Sequence, residues 1–204
     1  MSEQLIITLG REFGSGGHEI ARRLSERFSL PLLEENMLRH IAEEKGMNPD
    51  RMQRYDESPK TRVLYRTVNG FSNAPEDVIA QMQFDYLKER ARAGDSFLVV
   101  GRCAEEILKG YPGLISIFVL ADQWFKKERT MARGAISESE ALDLMARRDR
   151  KRKSYHNQYC KGKWGDSRSY DLCINSAKLG IQGTTDLLEQ YIRARVHTAR
   201  HVEE

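Results

Sequence analysis

The sequence predicts an α/β domain built on a parallel sheet of about five strands. Three observations carry this reading. Short, nearly continuous apolar runs recur along the chain, as strands buried on both faces of a sheet require. Amphipathic helical patterns alternate with those runs. A glycine cluster closes the first run at the point where a helix pattern begins. The 204 residues suit one domain, or a core domain carrying an inserted subdomain.

Leu5 to Leu9 is apolar and β-branched, ends at Gly10, and reads as the first strand. From Gly16 onward Ile20, Leu24 and Phe28 recur every four residues among Arg22, Arg23, Glu26 and Arg27, which predicts a helix. Leu30-Pro31-Leu32-Leu33 reads as a brief second strand. Asn36 to Arg92 reads as an inserted helical region, broken around Pro49, Pro59 and Pro75 and without a convincing strand. Ser96 to Val100, stopped at Gly101, and Leu114 to Leu120, entered through Pro112-Gly113, are the clearest strands. Asp122 to Met131 and Ser137 to about Lys153 follow as helices, the second opened by Ser137 with Glu140 three residues on, the capping-box spacing. Leu172-Cys173-Ile174 is a last strand and Thr184 to about Arg195 a closing helix with Leu187, Leu188, Tyr191 and Ile192 on one face.

Composition narrows the function classes. Charged residues make up 31% against 40% hydrophobic, and no run approaches the roughly 20 apolar residues that cross a bilayer. A soluble protein with no membrane partner is expected. Cys103, Cys160 and Cys173 are widely spaced and form no C-x-x-C pair, which gives little support to a disulfide framework or a zinc site. With an N-terminal apolar run too short for a signal peptide, a reducing, cytoplasmic location is expected. The net charge of +3 conceals an asymmetry: Arg147 to Arg168 holds nine Lys/Arg against two acids, a net +7, leaving −4 elsewhere.

Two segments carry chemistry. Arg11-Glu12-Phe13-Gly14-Ser15-Gly16-Gly17-His18 lies between the first strand and first helix. There a glycine turn lets backbone amides close round phosphate oxygens, helped by the helix dipole. The spacing is not a dinucleotide fingerprint, and in the G-x-x-x-x-G-K-[S/T] phosphate loop Gly17 would take the lysine position and His18 the hydroxyl position. The second segment is the arginine run. Arg148 and Arg152 are i, i+4 and share a helical face, with Arg147 and Lys151 alongside. Guanidinium forks suit phosphates and stay charged at any physiological pH, and the mutual repulsion of such a row is relieved by an anionic ligand. Arg102 lies just past a central strand, where open α/β sheets bind ligands. Trp164, within Lys161-Gly162-Lys163-Trp164-Gly165-Asp166, reads better as a pin between a loop and the core than as the tip of a mobile lid.

Arg11 to Gly17 after the first strand, Gly101-Arg102 after the third, and Lys161 to Asp166 leading into Tyr170-Asp171-Leu172-Cys173-Ile174-Asn175 together resemble the cytidylate kinase-like family, a branch of the P-loop nucleoside monophosphate kinases. The resemblance spans nearly the whole chain. It implies a three-layer P-loop NTPase fold in which residues 1–35, 93–146 and 171–204 form the core, about 36–92 a helical monophosphate-binding insertion and about 147–170 an arginine-rich lid. It also implies ATP and Mg²⁺ as cofactors and nucleotides as partners. Carried over by position, Gly14, Ser15 and Gly16 form the donor-phosphate loop with Arg11, Gly17 and His18. Arg102 holds the acceptor phosphate and Asp149 the acceptor nucleoside, while Arg148, Arg150 and Arg152 clamp donor and acceptor phosphates. Three positions depart from cytidylate kinases: Cys103 stands for Asp after Gly-Arg, Gly17 for the loop lysine, and His18 with Glu19 for the hydroxyl residues.

The first reading is therefore ATP-dependent phosphorylation of a nucleoside monophosphate, CMP or dCMP first. The second is a nucleotide-binding regulatory module of the same fold with little or no kinase activity, favoured by the missing lysine and hydroxyl. A nucleic-acid patch over Arg147 to Arg168, with Tyr155, Tyr159 and Trp164 to stack bases, is the weaker third, since such contacts need a surface spread along a backbone.

Overall fold

The computed structural model describes residues 4–46, 48–50, 67–68, 71–72 and 74–202. Five strands form one all-parallel sheet: β1 (Ile6–Arg11), β2 (Leu32–Leu33), β5 (Phe97–Val100), β6 (Leu114–Leu120) and β7 (Leu172–Asn175), in the order β2-β5-β1-β6-β7. β1 is central, with Leu9 opposite both Val100 and Ile117. Alternation along the strands divides the core into two layers. Ile6, Phe97 and Val99 face one side with Met37, Ile41 and Leu87. Ile7, Leu9, Leu98 and Val100 face the other with Ile20, Leu24, Leu188 and Ile192.

Helices cover both layers. α1 (Gly17–Phe28) and the closing helix α7 (Gly180–Val202) lie on the second side. Ile20, Ala21 and Leu24 of α1 are fully buried, as the four-residue spacing predicts. On α7, Leu188 and Ile192 are buried but Leu187 is 43% exposed. A step of one residue turns the side chain by about 100° around the helix, so Leu187 falls outside the apolar stripe to which it was assigned.

α2 (Glu35–Lys45) and α3 (Pro75–Arg92) cover the first side, and their apolar faces enter the core of the sheet directly. Pro75 starts α3 because the first turn requires no proline N–H. The expectation of no strand between Asn36 and Arg92 is corrected: β3 (Thr67–Val68) and β4 (Phe71–Ser72) form a two-residue antiparallel pair. Two-residue strands are too short for an alternation pattern to show in sequence. The break expected at Pro59 lies outside the described residues.

α4 (Ala104–Ile107) is a single turn after β5, and α5 (Gln123–Gly134) follows β6. α6 (Glu138–Tyr159) then runs for 22 residues, longer than the pattern suggested, and opens on the expected capping box between Ser137 and Glu140. Among the described residues no helix is long and apolar enough to cross a membrane, and the three cysteines form no disulfide.

Candidate active site

The carboxyl end of β1 opens into a loop that doubles back onto α1. Gly14 and Gly16 both hold φ near +81°, a region in which any side chain is strained. Gly16 is the N-cap of α1 and makes no side-chain cap bond, and of the first-turn amides Gly17 N–H donates to Ser15 Oγ at 3.4 Å. The first-turn amides and the positive end of the helix dipole therefore face the loop, the arrangement that attracts phosphate.

Four elements brace this loop. Glu12 Oε2 accepts from Ala121 N–H at 3.2 Å and Lys126 Nζ at 2.8 Å. Asp149 Oδ1, on α6, accepts from Phe13 N–H at 2.6 Å. Ser176, just past β7, is fully buried and donates to the Ser15 carbonyl at 2.6 Å. Ser15 itself turns inward, donating to the Glu12 carbonyl at 2.8 Å. The loop is thus held open before any ligand arrives, which removes part of the ordering cost of binding.

A cleft of about 430 Å³ lies over the loop, lined by Arg11, Gly14, Gly16, Gly17 and His18, by Arg129 and Arg133 of α5, and by Arg152 of α6. Beside it is a small cavity of about 20 Å³ between the end of β5 and α6, lined among others by Arg102, Glu105, His156 and Tyr170. Arg11 and Arg152 border both spaces. Arg152 reaches across to the loop, donating to the Arg11 carbonyl at 3.4 Å with its guanidinium 5.7 Å from the centre of the Phe13 ring.

The turn after β5 sets Arg102 in place. Gly101, Arg102 and Cys103 hold φ of +75°, +61° and +55° in succession. For the two residues with side chains this costs on the order of 1–3 kcal/mol each, strain of a kind concentrated at functional sites. Arg102 is only 4% exposed. The turn also brings together residues distant in sequence: His156 Nε2 lies 2.6 Å from Glu105 Oε1. Cys103 hydrogen-bonds Cys160, whose thiol is drawn down to about 7 by that bond, against burial, with help from His156. Burial opposes charge on His156, but its bonds to Cys160 and Glu105 outweigh it and push the imidazole up to about 10. The ligand-type atoms of Glu105, His156 and Cys160 fall within 4.8 Å of one another, the one group among the described residues that could hold a metal ion. Spacing along the sequence gave no sign of it.

The arginines of α6 do not act as one row. Arg148 and Arg150 are exposed and line neither space. α6 is continuous, so two residues turn Arg150 by about 200° from Arg148 and away from the face that Arg152 shares. Asp149, given to an acceptor nucleoside by the resemblance, holds the loop through the Phe13 amide; burial raises its pKa, against the pull of that amide and Arg152. His18 lines the cleft with Nδ1 at 2.9 Å from Glu34. Trp164 packs edge-on to Phe118 at 5.4 Å, a pin rather than a lid tip. Arg129 and Arg133 were missed, although their i, i+4 spacing is the signal that singled out Arg148 and Arg152. Arg129 bonds Glu19 at 3.0 Å and overhangs Gly16.

The family model described as Cytidylate kinase-like family matches residues 6–178. The chain belongs to the cytidylate kinase-like family. A protein of Methanococcus aeolicus named cytidylate kinase is 26% identical over 92% of this chain and 97% of its own length. An uncharacterized protein from Eubacterium ventriosum is 38% identical, with a TM-score of 0.74 over 93% of this chain and 99% of that one. A shikimate kinase from Bacteroides thetaiotaomicron, 10% identical, superposes with a TM-score of 0.54 over 93% of this chain and 98% of that chain, a likeness of fold alone.

Proposed function

We propose that this member of the cytidylate kinase-like family transfers a phosphoryl group from ATP to a nucleoside monophosphate, CMP or dCMP first. One observation carries the reading: the cleft over the glycine loop and the cavity at Arg102 share Arg11 and Arg152 in their walls. Two adjoining spaces with a common cationic partition suit a donor and an acceptor phosphate brought into line. The acceptor oxygen forms its bond to the γ-phosphorus as the bond to the β-bridging oxygen breaks, giving ADP and a nucleoside diphosphate. Such a transfer needs little covalent chemistry from the protein beyond alignment and positive groups aimed at the oxygens that gain charge.

In this scheme the amides of the Gly14–Gly17 loop and Arg129 receive the donor phosphates. Arg102 holds the acceptor phosphate, and Arg152 faces the group in transit. Arg148 and Arg150 reach phosphates only from the rim, if the α6 segment closes. The region of α2 and α3 serves the acceptor nucleoside. Mg²⁺ would supply charge neutralisation on the donor phosphates; His18 offers no hydroxyl to hold it, and its Nδ1 lies 2.9 Å from Glu34. A coupled assay with ATP, Mg²⁺ and each monophosphate tests the proposal. Turnover greatest with CMP or dCMP is expected, and no turnover above background with any acceptor overturns it. The absence of a lysine at Gly17 favours a second reading, a nucleotide-sensing regulatory module. It predicts a melting temperature raised by nucleotide together with no transfer in a single turnover.

A further inference from the structure

Lys126, Arg129 and Arg152 border or approach the loop, each within reach of a carboxylate. Lys126 lies 2.8 Å from Glu12, Arg129 lies 3.0 Å from Glu19, and Arg152 lies 3.8 Å from Asp149 while also reaching the Arg11 carbonyl. Arg11, the last residue of β1, is held in register opposite Val119.

A Cβ placed on Gly17 would lie 2.6 Å from Arg11 Cβ and 3.2 Å from Arg11 Cγ. The obstacle is the rigid root of the Arg11 side chain, fixed by the strand ladder, so it cannot swing aside as a side-chain tip could. Position 17 is where a phosphate loop of the form G-x-x-x-x-G-K-[S/T] carries its lysine, and position 11, six residues earlier, is where it carries its first glycine. Both positions are inverted here. The space between the end of β1 and the first turn of α1 admits one side chain, rooted at either 11 or 17. In this chain it grows from 11, its root set against Gly17, and borders both the cleft and the cavity that Arg102 lines.

We infer that Arg11 and Gly17 have exchanged roles, and that Arg11 supplies from the end of β1 the cation that a loop lysine supplies from the start of α1. The guanidinium serves the β- and γ-phosphates of the donor, at the border with the acceptor cavity where the transferring group passes. The inference rests on the proposed phosphoryl transfer but has its own readout in nucleotide binding.

The test compares wild type with Arg11→Ala, Arg11→Gly, Gly17→Lys and the double variant Arg11→Gly/Gly17→Lys. Steady-state transfer and equilibrium binding of ATP, ADP and AMP are measured on chains whose melting curves show them folded. Arg11→Ala and Arg11→Gly are expected to lose roughly 100-fold in kcat, the scale of losing one preorganised charge donor. They are also expected to lose about tenfold in ATP affinity with AMP affinity unchanged, as one charge-assisted contact to the outer phosphates implies. Gly17→Lys alone places two side chains in one space and is expected to destabilise the fold. The double variant is expected to regain stability, ATP affinity and, to within about tenfold, turnover, because it moves the cation back across the same gap. Wild-type turnover in Arg11→Ala, or a folded double variant no better than Arg11→Gly, overturns the exchange. A wild type that binds ATP but transfers nothing sinks the kinase reading alone, and the ATP/AMP contrast in Arg11→Ala then decides the exchange. A wild type that binds no nucleotide overturns both.

Discussion

Arg152 is the side chain on which the cleft and the cavity converge, through its place in both walls and its bond to the Arg11 carbonyl. Arg152→Ala is expected to lower kcat/KM for phosphoryl transfer by about 100-fold with the melting temperature nearly unchanged, since the residue is a partner of the loop and not of the apolar core. Arg150→Ala serves as its contrast: exposed and on another face, it is expected to stay within a fewfold of wild type. These differences were hidden in the run Arg148-Asp149-Arg150-Lys151-Arg152, where every residue but Asp149 is cationic and only the position on the helix separates an inward guanidinium from an outward one. The i, i+4 pairing of Arg148 with Arg152 was legible, but which member of the pair reaches the loop depended on where along α6 the loop lies.

The glycine loop and α6 were legible as elements because each carries its own local chemistry. Glycines permit the positive φ at 14 and 16, and Ser137 with Glu140 caps the helix start through Ser137 Oγ accepting from the Glu140 amide. Ser137→Ala is expected to lower stability by about 1 kcal/mol, read as a lower midpoint in urea unfolding, with the loop geometry and nucleotide affinity unaffected. The α4 turn and the β3–β4 pair were not legible: four-residue and two-residue elements are shorter than the period that would reveal them. The successive left-handed residues Arg102 and Cys103 ran against local preference altogether, because surrounding packing imposes that turn.

At the scale of the molecule, His156 ties the end of α6 to the turn after β5 through Glu105, and this tie has a pH signature. The His156 pKa rises from its ordinary 6.5 to about 10, so its contribution to stability is full below pH 6.5 and is lost as the pH rises through 10. Cys160 works in the opposite sense: lowered from 9.0 to about 7, it contributes above pH 9 and loses that contribution as the pH falls through 7. The two oppose one another between pH 7 and 9, and only the histidine acts above that window. The stability advantage of wild type over His156→Gln in urea unfolding is therefore expected to shrink between pH 9 and 11; an advantage that stays constant over that range would show that no charged histidine is held there.

By itself the sequence determined the parallel α/β class, the order of strand, glycine loop and helix at the start of the chain, and the concentration of positive charge after Arg147, because periodicity, glycine freedom and charge are properties of neighbouring residues. Tertiary structure alone decided that Arg152 turns inward while Arg150 turns out, that Asp149 and Ser176 brace the loop, and that Cys103, Glu105, His156 and Cys160 meet. It also decided that Arg11 fills the space beside Gly17. Each of these is a contact between segments brought together by the order of strands in the sheet, and such contacts leave no local pattern in the chain.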